Sequence, residues 1–164
     1  MWLLIVGAAL AQDAPDLNAQ LYRPTVDAQH TAWANDATVA PRGTVTGRFV
    51  LHGVHDPLVA VREDGSRFAV VEDLVQADLL AGWSLGRVRV GAHVPVIVRA
   101  TGQGGSGTGL GDLALDTKAN LRDRREGGVG LAVGGRLSFS TSSVGGAVGS
   151  PGVVWELDGI ADGD

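Results

Sequence analysis

The chain has 164 residues, of which 45% are hydrophobic, 25 are glycine and none is cysteine. The absence of cysteine excludes a disulfide framework, a thiolate metal site and a thiol nucleophile. The net charge of −5 argues against a nucleic-acid partner, for which a basic stripe is expected.

The start of the chain is predicted to be an export signal. Residues 1–11 form an apolar run that ends in Ala9-Leu10-Ala11, a small-x-small pattern typical of the cleavage site of a secretory signal peptide. Residues 12–42 turn polar and show few regular signals, so they are predicted to be an irregular N-terminal segment. Some of its apolar side chains are candidates to fold into or under a sheet: Leu21, Tyr22, Val26 and Trp33. No later run approaches the 18 apolar residues of a membrane helix.

Six later stretches alternate apolar and polar residues with a period of two, which is typical of strands with one apolar and one polar face. The predicted strands are residues 44–54, 73–84, 87–97, 111–122, 129–140 and 153–160. Between the first two, residues 55–72 are predicted to form a short external hairpin, with strands at 58–61 and 68–71 around a turn at 63–66.

The length and pattern of these strands are those of transmembrane β-strands, which need about 9–11 residues and turn an apolar face to lipid. Their connections alternate between short (85–86 and 123–128) and long (99–110 and 141–152), as in outer-membrane barrels. Residues 43–164 are therefore predicted to be an all-β, antiparallel, up-and-down transmembrane β-barrel. Because single-chain barrels begin at about eight strands, we expect this barrel to be partial and the chain to be the N-terminal part of a longer protein.

The polar faces of these strands define a predicted lumen. Its side chains carry nearly balanced charge, which predicts either a core plugged by ion pairs or a narrow, weakly selective pore. The predicted lumen-facing set is Arg48, Asp78, Arg89, His93, Asp112, Asp116, Lys118, Arg136, Glu156 and Asp158. Large aromatic residues near the strand ends, Trp83, Phe139 and Trp155, are predicted to form an aromatic girdle at the membrane interfaces.

Signals for catalysis are weak, so no enzyme activity, metal or cofactor is expected. Asp112 and Asp116 share a face, but cations of the same parity favour ion pairs over general acid–base catalysis. His52 and His55 point to opposite faces of a strand, which argues against a shared zinc ion. The glycine-rich stretch 102–111 lacks the Lys-Ser/Thr ending of a phosphate-binding loop.

Four short runs resemble the N-terminal barrel region of outer-membrane OmpA-family proteins from myxobacteria and related Gram-negative lineages. They lie at residues 18–24, 52–59, 109–116 and 149–152, and the third contains Gly109-Leu110-Gly111-Asp112-Leu113. The resemblance covers about residues 17–160. It implies a barrel that is followed, in full-length relatives, by a periplasmic domain that binds peptidoglycan. No residue of this chain matches that domain, so a peptidoglycan contact is expected only through a part that this sequence lacks.

The sequence thus predicts an exported outer-membrane protein of a Gram-negative bacterium, with a structural or porin-like role. Its expected partners are outer-membrane lipid and the barrel-assembly machinery. The alternative is a secreted, soluble β-sandwich that binds a ligand or partner through the glycine-rich loops 99–110 and 141–152. A half-buried antiparallel sheet shows the same alternation, so the pattern alone leaves this alternative open.

Overall fold

The computed structural model describes residues 22–26, 35–126, 128–144, 148–150 and 152–163. Apart from one 3₁₀ turn at Arg124–Glu126, all regular structure in these residues is β. The strands are β1 (Val45–Val61), β2 (Arg67–Ser84), β3 (Val88–Thr101), β4 (Gly107–Leu110), β5 (Leu113–Arg122), β6 (Val129–Phe139) and β7 (Val154–Gly163). No helix in the described ranges is long and apolar enough to cross a membrane.

The strands form one antiparallel sheet in the order β1-β2-β3-β5-β6-β7, with β4 attached to β3 beside this path. The sheet curls into a half-barrel. The prediction of an all-β chain with antiparallel, sequentially paired strands is confirmed. Among the described residues, β1 pairs only with β2 and β7 pairs only with β6, so each end of the sheet has an open edge.

The hairpin between β1 and β2 differs from the prediction of separate short strands. Both strands run without a break to the turn at 62–66, and only their pairing is interrupted, by register shifts between His55 and Leu58 and between Leu58 and Val59. Asp56 lies in this bulge with a φ of 51°. A bulge accommodates an extra residue, so that the residues after it point to the opposite faces of the sheet while the strand continues. This is why the apolar–polar alternation of the sequence breaks near Asp56. The predicted turn position is correct, since Arg62 N–H donates to the Ser66 carbonyl at 2.8 Å.

Two further features were not expected. β4 lies inside the predicted long loop 99–110, and its sequence Gly-Thr-Gly-Leu has too few side chains to show a two-residue period. The predicted external loop 141–152 turns partly inward. Its Val144 and Val148 are buried in a small apolar core at the hairpin end of the sheet, together with Val71, Leu74, Ile97 and Ala100.

Candidate functional site

The sheet has an outer face that is apolar and uncovered. Alternate residues along the six main strands point to it, over 45–53, 75–83, 88–96, 113–121, 129–139 and 155–163, and none of these is charged; Thr117 is the only polar one. None of these outer positions is buried. Phe49 is 64% exposed, Trp155 is 71% exposed and Leu157 is 77% exposed. About nine residues per strand make a band roughly 30 Å long along the strand direction. We call this surface the outer band.

The opposite face, the inner face, carries the charges. Of the predicted lumen-facing residues, the structure places all but Asp112 at inner positions of the strands, and Asp112 directly before β5. Asp78, Arg89, His93, Asp112 and Lys118 are buried. Arg48, Asp116, Arg136 and Glu156 are partly buried, and Asp158 is exposed. Of the three predicted girdle residues, Trp83 lies at the end of the sheet that carries the short turn 85–87. Phe139 and Trp155 lie at the opposite end of the sheet.

Asp78 is the centre of the inner face. Its side chain is fully buried and accepts three hydrogen bonds, one of them from the Gln76 amide at 2.7 Å. The Nε2 atom of His93 lies 2.6 Å from Asp78 Oδ1, and that of His52 lies 3.0 Å from Oδ2. A carboxylate that is buried this deeply requires such donors, because burial without them costs several kcal/mol.

Arg136 fixes the proton position on His93. Its guanidinium lies 2.5 Å from His93 Nδ1 and can only donate, so Nδ1 must accept. The proton of His93 therefore sits on Nε2 and points to Asp78. Beside this chain of hydrogen bonds is a polar cavity of about 10 Å³, lined by Tyr22, Arg23, His93, Asp112, Arg136, Ser138 and Ser150. That volume suits about one water molecule.

The remaining charges form pairs across neighbouring strands. Arg89 on β3 pairs with Asp116 on β5, and both side chains are largely buried. In the sheet register, Arg136 lies between Asp116 and Glu156. Glu156 is paired with Arg23 of the N-terminal segment. These pairs distribute both signs of charge over the inner face, so that charge does not accumulate there.

Segments 22–26 and 35–40 cover the inner face. Lys118, which is 1% exposed, donates to the Asp36 carbonyl at 2.9 Å. Asn120 donates to the Ala37 carbonyl at 2.6 Å, and the Ala37 N–H donates to Asp162 at 3.1 Å. These are long-range contacts between side chains of the sheet and a backbone without regular structure, and no local sequence pattern predicts them.

Val26, which is 2% exposed, packs against two glycines of the inner face. Gly82 and Gly91 are register partners on β2 and β3. A Cβ atom at Gly91 would lie 2.6 Å from Val26 Cγ1, and one at Gly82 would lie 2.9 Å from the same atom. Only glycine leaves room for this contact. We call this pair the glycine notch.

Asp112 anchors the segment that closes the hairpin end. Its Oδ1 atom accepts from the N–H groups of Thr141 at 3.3 Å and Ser142 at 3.1 Å, and its Oδ2 atom accepts from Ser150 N–H at 2.6 Å. Both oxygens of the Asp112 carboxylate therefore accept from backbone N–H groups, whereas Asp116 is paired with Arg89. Across the described ranges, no three His, Asp or Glu side chains are placed to share a metal ion.

His55 lies beyond the outer band, where its Nδ1 atom is 2.9 Å from Asp73 Oδ1. This hydrogen bond, helped by the nearby Asp56, raises the pKa of His55 above 6.5. The resulting stabilisation is fully present below the unfolded pKa and is lost as the pH rises through the folded pKa.

We expect a ¹H NMR titration of the His55 imidazole to give a midpoint above 6.5, and Asp73→Asn to lower this midpoint. A midpoint that Asp73→Asn leaves unchanged would contradict the pairing.

Comparison with protein-family models, with curated proteins and with solved structures found no match.

Proposed function

We propose that this chain is a membrane-embedded β-sheet protein of the outer-membrane barrel type, with a structural role and a plugged interior. The observation that carries the proposal is the distribution of polarity: the exposed outer band has no charged side chain, whereas the buried inner face holds Asp78, Arg89 and Lys118. This arrangement is the reverse of a water-soluble sheet and is the one that lipid favours.

The surface chemistry favours lipid over water as the neighbour of the outer band. Soluble monomers rarely expose contiguous apolar patches larger than a few hundred Å², whereas this band extends over all six main strands. A soluble β-sandwich would need a second layer on the apolar face. In the residues that the structure describes, every strand belongs to the one sheet and no second sheet lies on that band. The sandwich alternative therefore lacks the packing that defines it.

The filled inner face favours a structural role over an open pore. The inner side is occupied by segments 22–26 and 35–40, and the hairpin end by Val144 and Val148. The polar cavity beside His93 has room for about one water molecule. In this proposal, segments 22–26 and 35–40 plug the interior, and the charged residues of the predicted lumen form ion pairs and contact these segments. This proposal implies that the protein lies in the outer membrane, that lipid surrounds the outer band and that the barrel-assembly machinery inserts the chain. These implications agree with the resemblance to the OmpA family.

Labelling from one side of the membrane tests the topology. The chain has no cysteine, so Ser106→Cys and Arg125→Cys each introduce a single thiol, at opposite ends of the sheet. We expect an impermeant thiol reagent to label Ser106→Cys on intact cells, and Arg125→Cys only after permeabilisation. Flotation of the protein with liposomes provides the independent check of lipid association. Equal labelling of both sites on intact cells, with the protein in the soluble fraction, would contradict the proposal.

A further inference from the structure

The two edge strands, β1 and β7, each leave one side of the sheet open, and lipid offers no hydrogen bonds to such an edge. If the outer band lies in lipid, as proposed above, each N–H or C=O group of an open sheet edge that has no hydrogen-bond partner costs several kcal/mol. In the part of the chain that the structure describes, neither edge has a strand partner. The two edges therefore need a partner that supplies hydrogen bonds, an apolar outer face and a polar inner face.

The two edges are complementary to each other in direction. Six strands alternate along the sheet, so β1 and β7 point in opposite directions. β1 of one copy can thus pair with β7 of another in the same antiparallel pattern as the rest of the sheet. In a pair of copies related by a two-fold axis along the barrel, the second junction is identical to the first.

The edges are also complementary in charge and in the apolar residues that would face each other. The inner residues of β1 include the cation Arg48 and His52, whereas those of β7 include Glu156, Asp158 and Asp162. When Arg48 is placed opposite Asp158, the antiparallel register also puts Phe49 opposite Leu157 on the outer band. Opposite charges and apolar pairs at facing positions both stabilise neighbouring strands.

We propose that two copies of this chain join β1 to β7 at two equivalent junctions and close a twelve-stranded barrel. The sheet of one copy is a half-barrel, and twelve lies within the even strand numbers of known outer-membrane barrels. In each copy, segments 22–26 and 35–40 cover the inner face; we call them the N-terminal cover. The proposal rests on the membrane location proposed above and adds the partner.

Cross-linking between two differently labelled chains tests this junction. We would mix full-length Phe49→Cys and Leu157→Cys chains, refold them together in lipid vesicles and add a short bifunctional methanethiosulfonate reagent. The expected product is a mixed dimer that joins one chain of each kind. Either variant alone should give no cross-linked dimer, because in the proposed barrel β1 never lies beside β1 and β7 never lies beside β7.

The outcomes separate the two proposals. Flotation with the vesicles reports lipid association, so its loss would remove the membrane proposal and the dimer together. Vesicle-bound protein without the mixed dimer would overturn the dimer alone. A chain that carries both cysteines and cross-links only within itself would overturn it in favour of closure by a single copy.

A charge exchange provides a second readout. Arg48→Asp places two acids at each junction, and Asp158→Arg places two cations there. We expect each variant to lower the dimer fraction at least about fivefold, and the double variant Arg48→Asp with Asp158→Arg to restore it. Single variants that dimerise like the original chain would overturn the proposed pairing.

Discussion

Replacing Leu79 by arginine is expected to lower the free energy of unfolding in lipid vesicles by about 2–4 kcal/mol. Leu79 is 48% exposed and lies at the middle of the outer band, beside Phe49 on β1 and Val94 on β3. A charge there must leave water for hydrocarbon if the band faces lipid. The measurement is a urea titration of the protein in lipid vesicles, followed by tryptophan fluorescence.

Val61→Arg is the matched control. Val61 is 63% exposed, so it is at least as accessible as Leu79, but it lies eight residues past Gly53, roughly 25 Å beyond the outer band. We expect its unfolding midpoint to stay close to that of the original chain. If Leu79→Arg is equally harmless, the outer band faces water and the membrane proposal is wrong.

Replacing Asp78 by alanine is expected to cost about 3–5 kcal/mol, because it leaves buried donors of three side chains without an acceptor. Gln76 and His93 lose their bonds to Oδ1, and His52 loses its bond to Oδ2. The same urea titration measures the loss. The NMR signal of the His93 imidazole should broaden or shift as well, since its fixed Nε2 proton no longer has a partner.

Glu63→Ala serves as the comparison, since Glu63 is an exposed carboxylate in the turn between β1 and β2. Exposed positions of this kind usually change stability by less than about 0.5 kcal/mol. Similar small effects of Asp78→Ala and Glu63→Ala would mean that the inner face is hydrated and not packed, and the structural role proposed for it would then fail.

The two faces of the sheet could be predicted because each strand is covered on one side only. A strand with Val88, Val90 and Ala92 on one side and Arg89, Gly91 and His93 on the other shows its orientation in its own sequence. Short-range turn chemistry likewise predicted the turn around Gly65. The strand ends were less accurate, since β1 and β2 continue past a bulge that hides the period.

The partners of the inner side chains could not be predicted. Lys118 binds a backbone carbonyl at Asp36, 82 residues earlier, and Asp112 binds amides about 30–40 residues later. Such contacts depend on how the chain folds back over the sheet, which a local pattern does not contain. The burial of Val144 and Val148 was not predicted for the same reason, because a long connection that contains two valines does not differ in its sequence pattern from an external loop.

Because of the glycine notch, the packing of Val26 on the inner face depends on how β2 and β3 are aligned. One glycine comes from β2 and one from β3, so the seat for Val26 exists only when Gly82 and Gly91 face each other. A slip of one residue would turn the glycines to opposite faces, and a slip of two would place Arg89 or His93 opposite Gly82. Residues 22–26 can therefore dock as described only when β2 and β3 have paired in the correct register. Residues 22–26 precede β2 and β3 in the chain, yet their docking depends on how those two strands pair.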